Sequence, residues 1–210
     1  MTPRHQPAPR TRVTRDDWLR VARDALVDEG VDQVKIAVLA ERLQVARSSF
    51  YWYFTDRDHL AAALLDQWEA HNTTSIQERA ARSAATITEA TLHVFECWAD
   101  PRLFDVPLEF AVRDWARRDE AVRTRLAAAD EGRIDALAAM HRRFGFSRKE
   151  ALVRARVQYH SQIGLYALGV QETHAERLRM LPVYLRVFAG AEASSGELRE
   201  FERFVRSIPG

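Results

Sequence analysis

The sequence predicts an all-α chain, and three observations carry that prediction. Apolar residues recur at helical spacing in one segment after another, nowhere does the two-residue alternation of a strand appear, and several of the periodic segments open on a capping Ser, Thr or Asp. The stretch Ile36 to Phe54, IAVLAERLQVARSSFYWYF, also has the spacing of a helix-turn-helix, with Leu39, Ala40, Leu43, Val45, Phe50 and Tyr53 at the junction-facing positions. Ala40 falls where the second helix passes closest, so a larger side chain would force the pair apart.

In chain order, residues 1 to 13 hold Pro3, Pro7 and Pro9 among polar residues, and Arg4, Arg10 and Arg12 precede any acid; a flexible basic arm is expected. Thr14 with Asp16 and Asp17 reads as a helix start. Trp18, Val21, Ala22, Ala25 and Leu26 give that helix one apolar face, and Gly30 ends it. After the motif, TDRD from Thr55 reads as a capping box for a connecting helix through Leu60, Leu64 and Trp68 to about Ala80. A further helix is expected from Ser83 with Ile87, Val94, Phe95 and Trp98 on one side, stopped at Asp100-Pro101. Pro107 is expected to interrupt or kink the next segment. Asp119 caps a long amphipathic helix closed by Gly145.

Ser147 with Glu150 opens a helix expected to reach about Glu172, whose second half, IGLYALGV, is apolar all round. The helix from about His174 repeats this in LPVYLRVFA, with Pro182 expected to bend it. Helices apolar on every face need two partners. Ile163, Leu165, Leu168, Tyr184 and Phe188 are therefore assigned to a four-helix interface with a second copy of the chain; a buried hairpin within a monomer is the alternative. Ser194 to Arg206 forms the last helix.

The motif continued through FYWYFTDRDHLAAALLDQW resembles the TetR family of transcriptional regulators over about residues 14 to 68. That resemblance implies an N-terminal three-helix DNA-binding domain (14 to 56), a C-terminal helical domain for effector binding and dimerisation (57 to 210), and a homodimer on a double-stranded operator. Three departures stand out. Gln44 occupies the turn position usually held by glycine, Ala46 stands where a capping serine is preferred, and Tyr53 and Thr55 replace the frequent histidine and lysine. Arg47 is expected to contact guanine or phosphate, and Ser48, Ser49, Tyr51 and Trp52 project from the same helix. Tyr53 offers a hydroxyl to phosphate, and Lys35 and Arg57 flank the motif toward the backbone.

Charge and cysteine usage exclude more than they identify. The net charge is +1, and the longest uncharged apolar run, Ile163 to Val170, is far shorter than the ~20 residues that span a bilayer, so a soluble, cytoplasmic protein with no membrane partner is expected. Cys97 is the single cysteine. No metalloprotease, nucleophile-elbow or phosphate-loop motif occurs, so no enzyme, metal or cofactor is expected. A helical enzyme using the His93 and Cys97 face is the third-ranked reading, behind a DNA-binding adaptor controlled by a protein partner. For the effector, a small, mostly apolar molecule is expected among Trp68, Trp98, Phe110, Trp115 and Tyr159, near Trp98 and Trp115 above all, with His93, His141 and Gln162 as polar groups.

Overall fold

The structure, a computed structural model, describes residues 13–209; the expected basic arm, with Arg4, Arg10 and Arg12, lies outside the described residues. Those described residues contain α-helices and short 3₁₀ and π turns but no strand. The chain divides into two compact units between Leu64 and Leu65.

In the first unit, α1 (Arg15–Glu29) starts on a complete capping box: Thr14 Oγ1 accepts from the Asp17 amide and the Asp17 carboxylate accepts from the Thr14 amide. The expected stripe from Trp18 to Leu26 is buried. Gly30, at φ +86°, returns its amide to Leu26 and turns the chain away. Helix α2 (Ile36–Arg42) buries Leu39 and Ala40. Gln44 then takes φ +55°, as the missing glycine implied, at a cost of roughly 1 kcal/mol.

The segment expected to be an α-helix from Arg47 to Tyr53 is instead a 3₁₀ turn over Arg47–Trp52. Its cause is local. Ala46 supplies no side-chain cap, and the Ala46 carbonyl accepts from both the Ser49 amide at 3.0 Å and Ser49 Oγ at 2.7 Å, which closes the tighter ring. Phe50 anchors the turn, fully buried against Trp18 at 5.2 Å and Phe54 at 5.3 Å. Helix α3 (Arg57–Trp68) is capped by Asp56, not by the expected Thr55 and Asp58 pair: Asp56 Oδ1 accepts from the His59 amide at 2.8 Å.

In the second unit the connecting helix does not run unbroken to Ala80. A π turn, Glu69–Thr73, separates the end of α3 from α4 (Thr74–Ala81). The wider turn brings Asn72 and Thr73 inside, where polar partners hold them. Helix α5 (Ile87–Ala99) begins later than expected because Thr86, not Ser83, caps it by accepting from the Glu89 amide. Pro107 does not kink α6 (Val106–Ala116); it lies in the first turn, where its missing N–H costs nothing, after the Asp105 cap. Helix α7 (Glu120–Arg143) starts on Asp119 as expected.

Helix α8 (Arg148–Ala167) ends before the expected Glu172, in a turn with Gly169 at φ +64°. Helix α9 (His174–Ala189) carries Pro182 mid-length without terminating, and α10 (Ser195–Arg206) closes the described fold. One core cluster joins α4, α5, α7 and α8 through Ile76, Val94, Trp98, Leu137, Met140 and Tyr159. A second joins α5, α9 and α10 through Leu92, Leu181, Leu185, Phe201 and Val205.

Candidate DNA-reading face and effector cavity

Within the first unit, the 3₁₀ turn has three residues per turn, so Ser48 and Tyr51 share one edge while Ser49 and Trp52 share the next. Tyr51 and Trp52 are 60% and 70% exposed, large for rings with the choice of a core, and Arg47, Ser48 and Lys35 are exposed beside them. Two of the expected backbone contacts are otherwise engaged. The Tyr53 hydroxyl donates to the Val13 carbonyl at 2.6 Å, which ties down the chain entering α1. Arg57 Nε donates to the Val34 carbonyl at 2.7 Å and its terminal nitrogen to the Val31 carbonyl at 3.1 Å, fixing the loop ahead of α2. Both act as braces of the reading turn's surroundings.

The second unit contains a buried charge network that absorbs two of the expected effector residues. Glu109, fully buried on α6, accepts from Trp68 Nε1 at 2.7 Å, Asn72 Nδ2 at 2.9 Å and Arg133 at 2.8 Å. Arg113 reaches both Glu109 and Asp130, and the Tyr159 hydroxyl donates to Asp130 at 2.6 Å. Burial pulls the Glu109 pKa up, but Arg133 and Arg113 outweigh it and hold the carboxyl below its usual range. Trp68 and Tyr159 are thus structural members of an ion network, not walls of a ligand site.

A cavity of about 90 Å³ opens elsewhere in this unit, between α5, α8, α9 and α10. Its walls include Phe95, Trp98, Leu165, Tyr184, Phe188 and Phe201, with Gln158, Ser161, Gln162, Glu172, His174 and Arg177 as polar groups. Of the expected effector residues, Trp98 and Gln162 line it; Trp68, His93, Phe110, Trp115, His141 and Tyr159 do not. His141 sits one layer behind, with Nε2 3.4 Å from Gln158 Oε1, and burial lowers its pKa to about 4, so the ring is neutral. Three residues assigned to the subunit interface, Leu165, Tyr184 and Phe188, face this cavity instead, and Tyr184 stacks on Phe188 at 5.9 Å.

Ile163 packs on the first core cluster, and of the five assigned to the interface only Leu168 is strongly exposed. The uncovered apolar surface of the two helices runs through other residues: Val153 and Val157 on α8, and Met180, Val183 and Val187 on α9. Spacing alone left the outward face of these helices open, because a helix apolar on all sides carries no moment to orient it. It also missed Gln158 and Arg177. The signal available was Gln158 and Gln162 at i and i+4, two amides on one face of an otherwise apolar helix.

His93 and Cys97 share a face of α5, but burial pushes the Cys97 thiol up to about 12, which leaves it a poor nucleophile, and Asp100 is occupied by Arg102 at 2.7 Å. Among the described residues no His, Cys, Asp and Glu side chains gather into a metal-binding group.

Residues 19–64, which span the helix-turn-helix, match the model of bacterial regulatory proteins of the tetR family. This chain carries the DNA-binding domain of the TetR family. Solved structures with the same fold extend the likeness over nearly the whole chain. Salmonella enterica GusR superposes with a TM-score of 0.60 at 13% identity, over 92% of this chain and 94% of its own. A TetR-family regulator from Rhodococcus sp. gives 0.57 at 17% identity, over 92% and 97%, and reduced Escherichia coli NemR 0.55 at 18%, over 93% and 97%. Curated proteins yield no match. No helix among the described residues is long and apolar enough to cross a membrane.

Proposed function

We propose that this protein is a homodimeric, ligand-responsive repressor that reads a palindromic double-stranded operator through its 3₁₀ turn and releases it when a small, mostly apolar effector enters the α5–α8–α9–α10 cavity. The observation that carries the reading is the pairing, in one chain, of a TetR-type reading turn with two exposed aromatics and an apolar cavity in the separate C-terminal unit. Arg47 and Lys35 supply charge toward DNA, with Tyr51 and Trp52 contributing rings against sugar and phosphate. The exposed stripes of α8 and α9 pair with those of a second copy, which places two reading turns on two half-sites.

Effector binding and operator binding oppose each other, with a coupling of roughly 1–3 kcal/mol expected for a switch of this kind. Fluorescence anisotropy with duplexes from the DNA flanking the protein's own coding region tests the reading. Arg47→Ala should weaken a specific duplex by about 1–3 kcal/mol without unfolding the chain, and binding should fall steeply with salt. Equal affinity for every duplex, or an unaltered isotherm for Arg47→Ala, removes this reading.

A further inference from the structure

The cavity between α5, α8, α9 and α10 has an unbalanced polar inventory. Gln158 is 1% exposed and lines the cavity, yet its Nε2 has no hydrogen-bond partner. Its Oε1 lies 3.4 Å from His141 Nε2 on the far side, and with the neutral ring carrying its proton on Nε2 that contact turns the amide's N–H₂ toward the open space. Gln162 Nε2, one turn on, is likewise buried and makes no hydrogen bond of normal geometry, with the Tyr166 hydroxyl nearby. Arg177 completes the group. Its terminal nitrogen donates to the Trp98 carbonyl at 3.3 Å, while its Nε, 3.5 Å from a Glu172 carboxylate oxygen, makes no hydrogen bond.

All three groups are donors. A buried donor left unsatisfied costs about 1–3 kcal/mol, so three facing one cavity describe a site waiting for acceptor oxygens. A neutral carbonyl offers two lone pairs and would leave a donor unmatched. A carboxylate has two oxygens and about four acceptor positions, and it suits the guanidinium better than Glu172 does at its present distance. Beyond the donors the wall is aromatic, with Phe95 edge-on to Phe188 at 6.1 Å. The free space is about 90 Å³, below the about 150 Å³ of a void that admits benzene, so one ring at most is accommodated and only with outward movement of the cavity walls.

We propose that this cavity is a carboxylate site for a one-ring aromatic acid, whose carboxylate is bound by Gln158, Gln162 and Arg177 and whose ring lies against Trp98 and Phe188. His141 is a positioning residue that fixes the Gln158 amide. The proposal rests on the effector reading above and specifies its chemistry.

Calorimetric titration of the protein with benzoate, acetophenone and toluene tests it, with the tryptophan fluorescence change that is lost in Trp98→Phe as a second readout. Benzoate should saturate at least about tenfold more tightly than either neutral probe, because hydrogen bonds to a charged group are the stronger kind. Gln158→Leu and Arg177→Met should each remove most of that preference while leaving toluene binding unchanged. Gln162→Leu, at a less buried position, serves if Gln158→Leu melts early. Equal binding of the three probes, no binding of benzoate, or full benzoate preference in folded Gln158→Leu and Arg177→Met overturns the assignment. Benzoate binding that leaves operator affinity unchanged upholds the site and sinks the effector reading; operator binding without benzoate binding does the reverse.

Discussion

Replacing Glu109 with leucine should cost more than any single change to its partners. Glu109 is the acceptor on which Trp68 Nε1, Asn72 Nδ2, Arg113 Nε and Arg133 converge, and neither Glu109 nor Arg133 is exposed at all. In Glu109→Leu the Arg133 guanidinium keeps Thr73 Oγ1 at 3.0 Å and the Tyr159 hydroxyl at 2.8 Å, but its nearest remaining carboxylate is Asp130 at 3.6 Å. Breaking a buried pair so that one charge is left uncompensated costs about 3–5 kcal/mol. Arg133→Met is the asymmetric control. It removes one cation, yet Glu109 retains Arg113 at 2.8 Å along with Trp68 and Asn72, so the loss should be about 1–3 kcal/mol. Against a typical stability of about 5–15 kcal/mol, both variants stay foldable and measurable. Urea denaturation followed by circular dichroism gives the two numbers directly. Equal losses, or a larger loss for Arg133→Met, would falsify the claim that Glu109 is the hub of this network.

Other expectations follow from the same coordinates. Val187→Glu and Val157→Glu, both on uncovered apolar surface, should shift the protein to monomers at micromolar concentration by sedimentation and abolish two-half-site binding; dimers that persist in both variants would remove α8 and α9 from the interface. The His141 pKa falls to about 4 from an unfolded 6.5, so the unfolded chain binds more protons between those values and stability drops as pH falls through that window. At about 1.4 kcal/mol per unit this amounts to about 3 kcal/mol, and His141→Gln should flatten the curve there. Gln44→Gly should raise stability by up to roughly 1 kcal/mol by relieving φ +55°, less the entropy that glycine gives the unfolded chain; a lower melting temperature would mean the Gln44 side chain contributes something its backbone conformation does not show.

Much of the fold was readable because its signals are local. Capping residues with acids three positions on located the starts of α1 and α8, and an apolar stripe at helical spacing with Gly30 located the first helix and its end. Gln44 is the sharpest case: a departure from the expected residue foretold a positive φ that the chain indeed adopts. The misplaced features are those that tertiary structure decides. The π turn at Glu69–Thr73 has no sequence signature of its own, since Asn72 and Thr73 turn inward only because Asp105, Glu109 and Arg133 are there to receive them. Pro107 was read as a kink because the Asp105 cap before it was not recognised.

The effector site was harder for a physical reason that the cavity itself illustrates. Aromatic residues are chosen equally for filling space and for walling a pocket, so Trp68, Trp115 and Trp98 look alike in sequence, and of the three Trp98 lines this cavity. What separates pocket from core is polar balance. Trp68 Nε1 has its acceptor in Glu109, and Tyr159 has Asp130; within the second unit these groups are satisfied by the chain alone. Gln158, the residue immediately before Tyr159, carries a donor that nothing among the described residues satisfies. One turn of α8 therefore holds both situations side by side: a hydroxyl spent on the interior network and an amide left over. Apolar helix faces admit either a second subunit or a ligand, and composition cannot choose between them. The outward side of α8 sets Val153 and Val157 beside groups open to water, Arg156 and His160, and suits a helix-to-helix contact, whereas the face with Gln158, Gln162 and Leu165 has unspent hydrogen-bond donors and suits a molecule that brings oxygen with it.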